Sequence, residues 1–148
     1  MKFAVIQFPG SNCDQDSYNT LKYVFKQDVR YVWYKDGHLA EDETIVLPGG
    51  FTFGDYLRCG AVARFSPIMA AIRKAAECGQ TILGICNGFQ ILCEAGLLPG
   101  ALVRNEGLHF ICDHFYLKVE TTDTVFTRLY KQGDAIKVPI THGEGRYI

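Results

Sequence analysis

The sequence predicts an α/β protein with an open parallel β-sheet and helices on both faces. Short apolar runs that suit buried strands alternate along the chain with segments of helical periodicity, and turn residues follow each of these runs closely. The chain has 148 residues, of which 48% are hydrophobic, which is enough for a single domain with a buried core. Strands that alternate with helices form right-handed crossovers in a parallel sheet, whose binding sites lie beyond the carboxyl ends of the strands.

The first strand and the first helix follow from the N-terminal residues. Phe3–Phe8 is a mostly apolar run ended by a Pro-Gly pair, which is typical of a strand buried on both faces. Ser11, followed three residues later by Asp14, resembles a helix capping box. Apolar residues then recur at helical spacing, so we expect a helix over residues 12–27.

The middle of the chain continues the alternation. Runs of β-branched and aromatic residues predict strands at Val29–Tyr34 and Thr44–Leu47. Apolar residues at helical spacing over 68–75 predict a second helix, and Thr81–Leu83 predicts the next strand.

The C-terminal part begins with a third helix over Phe89–Ala95, for which Gly96 is a natural C-cap. The remaining segments have the character of short strands separated by polar or glycine-containing turns. These strands are expected at Leu102–Arg104, Phe115–Glu120 and Ile136–Ile140.

Composition and charge exclude several classes of partner and site. Fifteen Lys and Arg residues against sixteen Asp and Glu give a net charge of −1 without a basic block, so neither nucleic acid nor a membrane surface is expected. The six cysteines form no C-x-x-C pair and the N-terminus lacks a signal-peptide core, which predicts reduced thiols in a cytoplasmic protein. No metal-ligand spacing occurs among the Cys and His residues.

The most informative motif is GICNG, at Gly84–Gly88, between a predicted strand and a predicted helix. This is the layout of a nucleophile elbow, a sharp strand-to-helix turn with small residues on both sides of the nucleophile. Cys86 lies at its tip, and the N-H groups of the helix that begins there favour a thiolate. The motif predicts acyl chemistry at Cys86, whereas a free cysteine with no such role usually packs as a small hydrophobe.

Acyl chemistry also needs donors for the oxyanion that forms, commonly two backbone N-H groups. The N-H of Asn87 is one candidate, and the loop after the Thr44–Leu47 strand, which contains Gly49 and Gly50, is the source of the second. Gln90 lies four residues after Cys86 on the same predicted helix face, where its amide could hold a polar substrate.

Together these residues resemble class I, or triad-type, glutamine amidotransferases, which have a flavodoxin-like fold. Within that class the chain is most similar to the glutaminase subunits of phosphoribosylformylglycinamidine synthases. The resemblance covers the chain from its first strand to its last residues. The segments that carry it are 5–14, 47–61, 84–92, 97–101 and 141–147.

The resemblance implies that glutamine is hydrolysed here and its ammonia passed to a larger synthetase subunit for purine biosynthesis. Cys86 would form the glutamyl thioester, Gly50 and Asn87 would stabilise the oxyanion, and Gly49, Gly50 and Gln90 would hold glutamine. The implied protein partners are the large synthetase subunit and a small third subunit. No cofactor is expected on this chain, since ATP and magnesium would bind the synthetase.

The same family completes its catalytic triad with a His-x-Glu pair near the C-terminus, which this sequence does not reach. The resemblance therefore implies one amidotransferase domain over residues 1–148, truncated at its C-terminus and marginally stable alone. His142 and Glu144 have the His-x-Glu spacing. However, the resemblance places their loop apart from the catalytic pair, near the site or a partner surface.

Two other functions remain open at this point. Without the His-x-Glu pair the chain could be an inert glutaminase-like module that still binds glutamine or docks on a synthetase. It could also be a cysteine hydrolase or peptidase of the same superfamily. Many of those enzymes have a histidine directly after the nucleophile, where this chain has Asn87.

Overall fold

The computed structural model describes all 148 residues and confirms the predicted α/β fold with a parallel sheet. The chain divides into two compact units, one formed by Met1–Val103 with Tyr147–Ile148 and the other by Arg104–Arg146. The strands are β1 (Lys2–Gln7), β2 (Asp28–Trp33), β3 (Glu43–Leu47), β4 (Ile82–Gly84), β5 (Leu102–Val103), β6 (Ile111–Lys118), β7 (Ala135–His142) and β8 (Arg146–Tyr147). The α-helices are α1 (Asp14–Asn19), α2 (Ile68–Glu77) and α3 (Asn87–Glu94).

The first unit contains a four-stranded parallel sheet in the order β2-β1-β3-β4. In the register of β3 with β4, Leu47 lies opposite Gly84, so both strands end at the same edge of the sheet. The elbow and the double-glycine loop both begin at this edge, as the sequence predicted.

Helices cover both faces of this sheet, because alternate residues of each strand belong to different apolar clusters. Ala4 and Ile6 of β1 pack in the larger cluster, together with buried residues of α2 and α3. Val5, between them, packs in a smaller cluster with Tyr18 of α1 and with Leu21. All three β1 residues are fully buried, which explains why β1 is a continuous apolar run.

The first helical segment differs from the prediction in its start and in its geometry. The capping box is wrong, because the Ser11 hydroxyl bonds to Phe8, donating to its carbonyl oxygen at 2.9 Å and accepting from its N-H at 3.0 Å. Ser11 therefore closes the turn after β1. The helix begins later, without a side-chain cap, and continues beyond α1 as a π-helical segment, Thr20–Val24.

The second unit is built around an antiparallel ribbon of β6 and β7, paired from Ile111 opposite His142 to Lys118 opposite Ala135. Strand β7 extends beyond the predicted segment at both ends, whereas β6 begins and ends before the predicted segment Phe115–Glu120 does. The sequence also did not predict β8, a two-residue strand that pairs with β5.

No helix of the protein has both the length and the apolar character needed to cross a membrane.

Candidate active site

The nucleophile elbow predicted from the GICNG motif is present between β4 and α3. Cys86 has φ 51° and ψ −109°, a conformation that residues other than glycine rarely adopt. The turn is closed by hydrogen bonds from Ile85 N-H to the Leu47 carbonyl at 3.0 Å and from Gly88 N-H to the Ile85 carbonyl at 2.9 Å. Cys86 is an exposed free cysteine. A strained, accessible residue at the carboxyl edge of the sheet has the geometry that a nucleophile needs.

Both glycines of the motif are required by close packing. A Cβ atom at Gly84 would lie 2.7 Å from Leu92 Cδ1 and 2.9 Å from the carbonyl of Gly88. A Cβ atom at Gly88 would collide with the carbonyl oxygen of Leu47 on the neighbouring strand. Any side chain at these positions would push α3 away from the sheet and displace the elbow.

The structure brings the predicted double-glycine loop against the nucleophile. A Cβ atom at Gly49 would lie 3.3 Å from Cys86 Cβ and 3.6 Å from Cys13 Sγ. Gly50 has φ +134°, and a Cβ atom there would lie 2.6 Å from the backbone nitrogen of Asn12. The absence of side chains at these two positions therefore lets the loop pass between Cys86 and the turn after β1.

A second thiol, that of Cys13, lies near the nucleophile. Its backbone N-H donates to the Gly49 carbonyl at 3.3 Å, which holds the turn after β1 against the loop after β3. Partial burial raises the pKa of the Cys13 thiol, and nearby Asp16, Cys86 and Asp14 raise it further. Cys13 therefore stays protonated to a higher pH than an ordinary cysteine.

The side chain of Asn87 has a role that the sequence did not reveal. It is 1% exposed, and its Oδ1 accepts hydrogen bonds from the backbone N-H of Thr52 at 3.2 Å and from the Thr52 hydroxyl. Its Nδ2 donates to Asp55 Oδ1 and to Gln90 Oε1, both at 3.0 Å. The only hint in the sequence was a polar residue at the first position of a helix whose following residues are mostly apolar.

Gln90 lies one turn after the nucleophile, as predicted, but it is only 7% exposed. Its side-chain oxygen accepts the hydrogen bond from Asn87, so the orientation of its amide is fixed within the protein. Close by, Glu94 forms a bidentate ion pair with Arg58, with N-to-O distances of 2.5 and 2.8 Å, and this pair ties the loop before α2 to the end of α3.

His142 and Glu144, the other candidates, belong to the second unit. The buried side chain of Asn105 organises their loop: its Nδ2 donates to the carbonyls of His109 and His142, at 2.8 and 3.0 Å. Its Oδ1 accepts from Gly145 N-H and lies 3.0 Å from His142 Nδ1. Because that oxygen only accepts, the Nδ1 atom of His142 carries the proton of this bond.

The residues of the protein offer no obvious metal centre. No group of three or more His, Cys, Asp or Glu side chains is arranged so that it could hold a metal ion. The candidate site consists of a thiol, amides and backbone groups, a donor set that suits an amide substrate better than a cation.

Comparison with known proteins agrees with this fold. The chain belongs to the family of CobB/CobQ-like glutamine amidotransferase domains, whose family model matches residues 1–148. It is also similar to a chain in the structure of PurLQS from Thermotoga maritima, with 50% sequence identity and a TM-score of 0.93. That similarity covers 99% of this chain and 68% of the other. The resemblance to glutamine amidotransferases inferred from the sequence is thereby confirmed.

Proposed function

We propose that this chain is the glutaminase component of a phosphoribosylformylglycinamidine synthase, with Cys86 as its nucleophile. The observation that carries the proposal is the left-handed conformation of Cys86 at the tip of the elbow, where the thiol is exposed. The similarity to a chain of PurLQS supports the assignment to this branch of the amidotransferases.

In the proposed reaction the Cys86 sulfur attacks the carboxamide carbon of glutamine and forms a tetrahedral oxyanion. The N-H of Asn87 is the first in α3 and has no partner within the helix, so it is one donor to this oxyanion. The N-H of Gly50 is the second, and it donates to no backbone carbonyl of the chain. Ammonia leaves as the γ-glutamyl thioester forms, and water then hydrolyses the thioester to glutamate.

Glutamine would be held by the loop of Gly49 and Gly50 and by Gln90. Both elements border the nucleophile, since Gly49 approaches Cys86 closely and Gln90 lies one helical turn beyond it. The ammonia would pass to a large synthetase subunit, and a small third subunit would complete the assembly. ATP and magnesium would act on the synthetase and not on this chain.

The reaction needs a general base that takes the thiol proton, gives it to the departing ammonia and later activates water. Within the first unit the only histidine is His38, which lies between β2 and β3. It lines a surface groove against α2 that contains no residue of the elbow or of the double-glycine loop. We therefore infer that the base comes from outside the unit that holds Cys86.

Labelling with 6-diazo-5-oxo-L-norleucine, a glutamine analogue that alkylates such cysteines, tests the proposal. We expect mass spectrometry to find the label on Cys86 alone and excess glutamine to prevent the reaction. The matched variants are Cys86→Ser, which should lose the label, and Cys13→Ser, which should retain it because the neighbouring thiol is not the nucleophile. Equal labelling of all six cysteines, or labelling that glutamine does not prevent, would exclude a glutamine site.

A second measurement separates a working glutaminase from an inert module that only binds glutamine. Ammonia release from glutamine is measured for the chain alone and after mixing with a phosphoribosylformylglycinamidine synthetase subunit. The glutaminase proposal requires release that depends on Cys86 in at least one of these conditions. Protected labelling without any release would instead support the inert module.

A further inference from the structure

We propose that the side chain of Asn87 is a positioning residue that holds the double-glycine loop and its oxyanion donor in place over the nucleophile. The inference rests on the proposed glutaminase function and gives the side chain of Asn87 a role in it beside that of its backbone N-H.

The side chain of Asn87 forms every hydrogen bond that an amide group can form. Asn87 Oδ1 accepts two hydrogen bonds from Thr52, and Nδ2 donates one each to Asp55 and Gln90. An amide has two donor hydrogens and two acceptor lone pairs, so all four are satisfied. At 1% exposure water does not compete for these bonds, so losing one leaves a buried polar group without a partner.

The loop that Asn87 holds does not take this shape by local preference. Phe53, Gly54 and Asp55 have positive φ angles of 53°, 70° and 53°, and two of these residues are not glycine. Such a run of left-handed residues is unfavourable unless the surroundings impose it. The bonds from Asn87 to Thr52 and Asp55 hold the two ends of this run.

The position of Asn87 in the chain couples this anchor to the nucleophile. Asn87 directly follows Cys86, and its backbone N-H is the first in α3. Its side chain binds Thr52, which lies two residues after Gly50 in the double-glycine loop. One residue therefore sets the spacing between the two proposed oxyanion donors. Its bond to Gln90 also fixes the amide proposed to hold glutamine.

The decisive test exchanges the donor and the acceptor in the hydrogen bond between Asn87 and Asp55. Asn87→Asp keeps the acceptor for Thr52 but removes the donors to Asp55 and Gln90, and it sets the new carboxylate against that of Asp55. We expect the maximal rate of Cys86 labelling by 6-diazo-5-oxo-L-norleucine, whose ketone oxygen the two donors would hold, to fall about tenfold to a hundredfold, because misplaced donors no longer orient its reactive carbon against the sulfur. Adding Asp55→Asn restores a donor opposite the new carboxylate and should recover most of that rate.

Two single variants serve as controls. Asp55→Asn alone keeps an oxygen that accepts from Asn87 Nδ2, so its labelling rate should stay within about twofold of the wild type. Thr52→Val removes only the hydroxyl and preserves the backbone bond, and it should give an intermediate loss. Thr52→Val is also the variant on which the proposal is judged if Asn87→Asp does not fold.

Iodoacetamide separates positioning from a general structural role. Iodoacetamide has no glutamine-like chain for the site to orient, so its reaction with Cys86 does not depend on the two donors. The Asp55→Asn/Asn87→Asp double variant and Thr52→Val should therefore react with it as the wild type does. Wild-type rates of glutamine-analogue labelling in Asn87→Asp and in Thr52→Val would overturn the proposal. So would equal losses with both reagents, or a folded double variant that shows no recovery. An absence of glutamine-protected labelling in the wild type would contradict the proposed function itself and not the specific role of Asn87.

Discussion

The strands of the parallel sheet in the first unit and those of the β6–β7 ribbon in the second unit differ in how far their side chains are buried. Ile6 in β1 and Ile45 in β3 are fully buried between helices. In β6, which is two residues longer than β1, Phe115, Tyr116 and Leu117 are 53%, 67% and 55% exposed. Regular backbone pairing occurs in both units, but only the sheet combines it with burial of apolar side chains on both faces.

This difference shows where the candidate site gains its rigidity. The elbow and the double-glycine loop follow directly from β4 and β3, whose positions the buried core determines. A two-stranded ribbon is at best marginally stable by itself, because most of its side chains gain little from folding. We therefore expect matched substitutions to have large effects in the sheet and small effects in the ribbon.

The largest contrast is expected for loss of apolar volume. Ile45→Ala should destabilise the protein by about 2–5 kcal/mol, because the side chain is fully buried and leaves a cavity. Leu117→Ala, in the ribbon, should cost less than about 1 kcal/mol. Urea denaturation followed by circular dichroism measures both values. Equal costs would mean that the ribbon has a core as important as that of the sheet.

A second contrast concerns glycines. Gly88→Ala places a Cβ atom against the carbonyl of Leu47 and should cost about 1–3 kcal/mol or more, with loss of glutamine-protected labelling of Cys86. Gly143→Ala, beside β7, meets only the Phe110 ring, at 3.7 Å, and should be tolerated. Melting temperature and labelling are measured on the same samples. A stable, labelled Gly88→Ala protein would contradict the close packing of α3 on β3.

The smallest contrast is between two ion pairs. In the sheet, Glu43 accepts hydrogen bonds from Arg30 at 2.5 and 2.8 Å, and its side chain is 6% exposed. In the ribbon, Lys118 and Glu120 pair at 3.0 Å with both side chains mostly exposed. Glu43→Gln should cost about 1–2 kcal/mol at neutral pH, whereas Glu120→Gln should have no measurable effect.

The Glu43 pair also predicts a pH dependence. The hydrogen bonds from Arg30 lower the pKa of the Glu43 carboxyl, against the opposing effect of burial, and the N-H of Ala40 lowers it further. A lowered pKa in the folded state contributes stability above the unfolded value of about 4.3, and this contribution is lost as the pH falls through the folded value. The difference between Glu43→Gln and wild type should therefore shrink below about pH 4. A constant difference would show that the charge of Glu43 is not its source.

The contrast also explains which parts of the fold were predictable from the sequence. Buried strands such as β1 and β3 are continuous apolar runs, and α2 has clear helical spacing, so composition and periodicity were sufficient. The two-residue strand β8 has no pattern of its own and forms only by pairing with β5. The prediction of a capping box was wrong because the Ser11 hydroxyl donates to the Phe8 carbonyl and so closes the turn after β1.

The candidate site was predictable to the extent that it depends on local backbone geometry. The spacing of glycines around Cys86 predicted the elbow, and two adjacent glycines predicted the loop that approaches it. The network of Asn87 was not predictable, because Thr52 and Asp55 are far from it in the chain. The left-handed conformation of Phe53 has no signature in the sequence, because phenylalanine rarely adopts it.

The left-handed conformation of Cys86 also bears on how selection acts at this position. A residue other than glycine at φ 51° costs on the order of 1 kcal/mol, so a glycine would make the elbow more stable. Selection for folding alone would therefore favour replacing the sulfur. On the proposed function, the cysteine persists against this preference because the gain in chemistry outweighs the loss in stability.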